Sequence, residues 1–130
     1  MKTLLTIFTL VFTVMFSSAS FAGWTKVVKS RFGDTYYVDF ERIKKHGRYI
    51  YWWELGDLGK PNKLGHLSAV VYSQGDCKLI RYKNLDFSFY KRPGGWGTRD
   101  MYSPKNPEWK YPQPNSAGET VLKAACAHVK

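Results

Sequence analysis

Arg48-Tyr49-Ile50-Tyr51-Trp52-Trp53-Glu54-Leu55 is the stretch whose reading decides the fold class. Aromatic and β-branched side chains fill it, and these suit a pleated, half-buried surface. Successive residues of a strand point to opposite faces, so Trp52 and Trp53 put a large ring on each side. That pattern predicts a sheet covered on both faces or paired in a dimer. Thr35-Tyr36-Tyr37-Val38-Asp39-Phe40 has the same composition, and Trp24 to Lys29, His66 to Ser73, Cys77 to Lys83 and Leu85 to Tyr90 bring the count to about six strands. Gly33-Asp34, Lys45-His46-Gly47, Gly56 to Asn62 and Gln74-Gly75-Asp76 separate them. Such short connections fit antiparallel hairpins, because parallel pairing needs longer crossovers. Glu41-Arg42-Ile43-Lys44-Lys45 has room for one helical turn.

After Tyr90 the character changes. Lys91 to Gly118 carries Pro93, Pro104, Pro107, Pro112 and Pro114 with Gly94, Gly95, Gly97 and Gly118, which predicts a long loop. Ser116 followed by Glu119 has the form of a capping box, and Leu122, Ala125, Cys126 and Val129 then share one helical face. The expected fold is α+β and mainly β: an antiparallel sheet of about six strands with a C-terminal helix against one face.

The amino terminus sets the compartment. Met1-Lys2, the apolar run Leu4 to Phe16 and the small residues before Gly23 read as a signal peptide over residues 1–22, leaving 23–130 as a single domain. The apolar run, about 13 residues, is shorter than the roughly 20 that span a bilayer as a helix, and no second one follows. No cysteine lies at the cleavage site, so export without a lipid anchor is expected, to the periplasm, the cell surface or the medium. Without Lys2, 19 basic residues stand against 10 acidic ones, a net charge of +9. Acidic partners are favoured electrostatically. In an exported chain the lone pair Cys77 and Cys126 reads as a disulfide that ties the helix to the sheet.

Taken in order, Trp24 and Val27, Tyr36-Tyr37-Val38-Asp39 with Ile43 and Gly47, Trp53 with Leu55, Asp76-Cys77, Arg81, Phe89-Tyr90, Trp109, Pro114-x-Ser116, and Leu122 with Cys126 resemble the surface-adhesin protein E family of Gram-negative bacteria. The resemblance covers almost all of the chain after the signal. It implies a disulfide-tethered helix on a six-stranded sheet and a non-enzymatic binding protein. It further implies contact with host matrix proteins of the vitronectin, laminin and plasminogen class, and homodimer formation. The family's adhesin is lipid-anchored, a feature this chain lacks the cysteine for.

Basic and aromatic residues alternate in Arg81-Tyr82-Lys83 and Tyr90-Lys91-Arg92, with Trp96 close by. Cations meet sulfates or carboxylates while rings supply contact area, so Lys78, Arg81, Lys83, Tyr90, Lys91, Arg92 and Trp96 are the candidate residues for host proteins or anionic glycans. Nucleic acid is not favoured as a partner. The structural alternative is a solvated strand whose lysines protect a sheet edge. Trp96, Tyr102, Trp109 and Tyr111 in the expected loop either form a contact surface or fold back over the second face of the sheet. A small secreted hydrolase would have to use His46, His66 and His128, whose spacing matches no catalytic or metal motif. No enzyme, metal or cofactor is therefore expected. A periplasmic structural or assembly factor of the envelope remains as the other reading.

Overall fold

A computed structural model describes residues 23–129. The expected signal peptide, residues 1–22, lies outside the described residues, as does Lys130. The strands are β1 (Trp24–Lys29), β2 (Thr35–Asp39), β3 (Lys44–His46), β4 (Tyr49–Asp57), β5 (Ser68–Asp76), β6 (Arg81–Arg92) and β7 (Trp96–Tyr102), followed by helix α1 (Ala117–His128). All strands pair antiparallel in one sheet of order β1-β2-β4-β5-β6-β7. β2 takes one edge of β4 at Glu54 to Asp57, and β3 takes the same edge at Tyr49 to Tyr51. The run that decided the fold class is thus the central strand.

Its alternation sorts the core. Ile50 and Trp52 point to the face that carries α1 and pack with Val38, Val121, Leu122 and Ala125, all of them buried. Fully burying a side chain such as Leu122 stabilises the fold by about 1.5 to 3 kcal/mol. Gly75 opposite Ile50 lets the layers close: a Cβ there would stand 2.6 Å from the Trp52 ring and 2.9 Å from Leu122 Cδ1. Ser116 caps the helix, accepting from the Glu119 N–H at 3.2 Å, while Glu119 Oε1 accepts from the Asn115 N–H rather than from that of Ser116. Cys77 and Cys126 form the disulfide, with Cα atoms 5.8 Å apart. It joins α1 to the turn after β5.

Three local expectations change. The expected separator Gln74-Gly75-Asp76 is the end of β5, the turn is Cys77 to Ile80, and in place of two strands at Cys77 to Lys83 and Leu85 to Tyr90 one long strand, β6, begins at Arg81. Asp76 fixes that turn by accepting from the Lys78 and Leu79 N–H groups. Of the expected helical turn only Glu41 and Arg42 take part, in a 3₁₀ turn over Phe40–Arg42, and Lys44 and Lys45 belong to β3. Lys91 to Gly118 is irregular only in part, because the chain reverses at Pro93–Gly95 and returns as β7 along β6. Asp57 and Ser68 hold that reversal by accepting from the Gly94 and Gly95 N–H groups at 2.7 and 2.9 Å. Every residue of β7 is exposed, so pairing with β6 rather than burial keeps it in the sheet. Among the described residues no helix is long and apolar enough to cross a membrane.

Candidate functional site

The face of the sheet away from α1 carries a row of half-buried rings. Tyr49, Tyr51 and Trp53 alternate along β4, and Tyr72 on β5 pairs with Trp53. Ring centroids are 4.7 Å apart for Trp53 and Tyr72 and 6.1 Å for Tyr72 and Tyr51, the latter pair stacked. Trp109 extends the row, 5.4 Å from Tyr49. It arrives from the proline-rich segment because Lys110 pairs with Tyr82 in a short two-way bridge, N···O 3.0 and 2.7 Å, beside the first part of β6. Of the four loop rings, Trp109 therefore folds back over the second face of the sheet, whereas Trp96, Tyr102 and Tyr111 stay exposed. The opposite end of this face is covered at Leu55 and Val70 by Gly95.

Basic groups edge the row. The Arg81 guanidinium lies 4.1 Å and the Lys83 ammonium 4.5 Å from the Trp109 ring centre, Arg48 stands over Tyr49 at 5.4 Å, and Arg42 over Trp53 at 5.7 Å. Arg81 is also tied into the fold. Its Nε donates to Asp76 Oδ2 at 3.0 Å and its Nη1 to the Tyr111 hydroxyl at 3.3 Å. Asp76 is fully buried and receives Arg48 Nη2 at 3.1 Å on the same oxygen. Burial pushes its carboxyl up, but the Leu79 N–H, Arg81 and Arg48 outweigh that effect and hold it below the usual aspartate range. Lys83 and Arg48, by contrast, have no carboxylate that fully occupies them: Lys83 forms no ion pair among the described residues, and more than half of the Arg48 side chain is exposed.

The seven candidate residues of the sequence fall at two places. Arg81 and Lys83 lie at the Trp109 end of β6 with Lys78 in the adjoining turn, whereas Tyr90, Lys91, Arg92 and Trp96 lie at the other end. At about 3.3 Å per residue the two ends of β6 are on the order of 35 Å apart. At the far end Lys91 Nζ donates to the Leu64 carbonyl, the Arg92 carbonyl accepts from Ser68 Oγ, and Trp96 is 72% exposed. Sequence reasoning missed Arg48, Tyr49 and Tyr72, which join the site only through strand pairing. The histidines do not converge. His66 is buried between Asn62 and Asp100, His46 packs against Tyr51, and His128 against Phe40.

The model of the family described as surface-adhesin protein E matches residues 24–127. The chain belongs to the surface-adhesin protein E family. Solved structures of Haemophilus influenzae protein E share its fold. One crystal form superposes with a TM-score of 0.64 at 19% identity, over 83% of this chain and 90% of that one. A second structure gives 0.61 at 19%, covering 83% and 86%. Protein E from a non-typeable strain gives 0.62 at 18%, covering 83% and 78%. No curated protein sequence matches the chain. At this identity the likeness to the solved structures is one of fold.

Proposed function

We propose that this protein is an exported, non-enzymatic adhesin that binds through the helix-free face of its sheet. The ring row from Trp53 to Trp109, edged by Arg48 and Lys83, takes an acidic stretch or sulfated glycan of host matrix proteins, the vitronectin, laminin and plasminogen class. The observation that carries this is a row of five partly buried rings edged by Lys83, which forms no ion pair among the described residues, and by Arg48, which shares the single charge of Asp76 with Arg81. Rings give contact area at low entropic cost, and an anion approaching them meets Arg48 and Lys83 without displacing a fixed carboxylate from Lys83. Family membership supports a binding role at or beyond the cell surface.

Two charge-matched variants test the location. Arg48→Ala/Lys83→Ala/Trp109→Ala removes the ring-row end, and Lys91→Ala/Arg92→Ala/Trp96→Ala removes the far end of β6. Each loses two positive charges and one indole. Binding of immobilised heparin and of vitronectin should fall by about tenfold or more in the first, and by less than about threefold in the second. Equal losses would mean diffuse attraction with no site. A larger loss in the second would move the site to the β6–β7 reversal.

A further inference from the structure

The helix-bearing face holds a feature that adhesion through the other face leaves unused. α1 lies over β1, β2 and β4, so the same face of β5 and β6 stays partly open next to the first helical turn. A cavity of about 280 Å³ remains there, walled by Tyr36 of β2, Trp52 of β4, Tyr82 and Phe87 of β6, and Val121 of α1, with Glu54 of β4 among its lining residues. Small residues create the space. A Cβ at Gly118 would stand 3.2 Å from the Tyr82 hydroxyl and one at Gly56 3.3 Å from the Tyr36 ring.

Glu54 is the partly buried acid that lines this cavity. The buried carboxylates Asp39 and Asp76 each meet arginine, Asp39 through Arg42 and Asp76 through Arg48 and Arg81. Glu54 has no ion-pair partner among the described residues, although the chain carries twice as many basic as acidic residues. Its Oε1 accepts from Trp52 Nε1 at 3.0 Å and from Ser73 Oγ at 3.2 Å, and its Oε2 has no hydrogen-bond partner among the described residues. The elements around it bring no neutralising charge. β2 and β6 present the phenols of Tyr36 and Tyr82, β5 presents Ser73, α1 presents Ala117, Gly118 and Val121, and Lys110 acts only from beyond ion-pair distance. Burial accordingly raises the Glu54 carboxyl above its ordinary range, against the opposing pull of the Trp52 and Ser73 hydrogen bonds and of Lys110.

We propose that this cavity is a binding site for a small organic ammonium ion, with Glu54 as its counter-charge and the rings of Tyr36, Trp52, Tyr82 and Phe87 as its walls. A carboxylate with one oxygen free of protein partners can take a cation, and aromatic side chains lining the same cavity favour an organic ammonium ion over an anion. The volume lies at the small end of ligand pockets, which fits a compact amine better than a chain segment.

The test uses the protein with residues 23–130, tracking the Trp52 indole N–H resonance at pH 7.5 and low salt while phenethylammonium is added. Phenethyl alcohol, its neutral counterpart, and a lysine-containing peptide are run beside it. The account expects a saturable shift with phenethylammonium, at least about tenfold weaker binding of the alcohol, and loss of that preference in Glu54→Gln. That substitution keeps the acceptor for Trp52 and Ser73, and an unchanged circular dichroism spectrum with a cooperative melt verifies the fold. No saturable shift, equal binding of the alcohol, or an undiminished preference in Glu54→Gln would overturn the proposal. Binding of the peptide with none of the free amine would overturn it too and give the cavity to a protein partner. Because the cavity and the ring row lie on opposite faces, the adhesion variants leave this result unaffected.

Discussion

Glu54 and Asp76 show how one sheet treats two carboxylates in opposite ways. The Glu54 carboxyl is raised, so its contribution to stability is fully present below the unfolded-state value and is lost as pH rises through the folded one. Glu54→Gln should therefore melt at a higher temperature than the parent at pH 8, with the gain shrinking toward pH 4; an unchanged or lower melting temperature at pH 8 would contradict it. Asp76 is lowered, and its contribution is present above the unfolded-state value and lost as pH falls through the folded one. Asp76→Ala should cost about 3 kcal/mol in urea unfolding at pH 7, the low end for a broken buried pair because Arg48 stays half solvated. A cost under about 1 kcal/mol would show that the two arginines find other partners. Neither role could be read from the sequence. Glu54 looks like one more residue of an alternating strand, and only the register that sets Ser73 beside Trp52, together with the end of α1 at Ala117, leaves its second oxygen facing open space.

At the level of elements, legibility followed periodicity. Trp24 to Lys29 matches β1, the ring-rich run matches β4 to within two residues, and the Ser116 cap with its apolar face at Leu122, Ala125 and Cys126 marks α1. β7 was hidden because Pro93, Gly94, Gly95 and Gly97 suggest a loop, while its ordering comes from hydrogen bonds to β6 that no local pattern announces. Trp109 was recognisable as a ring to be placed, but its seat beside Tyr49 depends on the isolated pairing of Lys110 with Tyr82. Two predictions belong here. Closing a 49-residue separation, the disulfide should contribute about 4 kcal/mol in the chain-entropy model, so Cys126→Ser should lose about that much in urea unfolding; a loss below about 1 kcal/mol would mean that packing alone holds α1. Ser116→Ala removes the acceptor for the Glu119 N–H and should cost about 1 kcal/mol, readable as a drop in thermal midpoint of several degrees.

Across the whole molecule, the two faces of one sheet divide the work. α1 and the disulfide consolidate one face and leave a cavity in it, while the other keeps a row of rings and cations at the surface. The net charge draws polyanions to every side, so the salt response alone does not locate a site. Binding should weaken between 0.1 and 1 M salt as the Debye length falls from about 10 to about 3 Å, with a residue from ring contacts that salt does not screen. The most direct measurement follows the indole N–H resonances of the protein's five tryptophans during titration with a heparin oligosaccharide. They report from separate places: Trp53 and Trp109 on the helix-free face, Trp52 under α1, Trp96 at the start of β7 and Trp24 in β1. The account predicts saturable shifts of Trp53 and Trp109 with Trp52 and Trp96 nearly unmoved; shifts led by Trp96 or Trp52, with Trp109 silent, would contradict it.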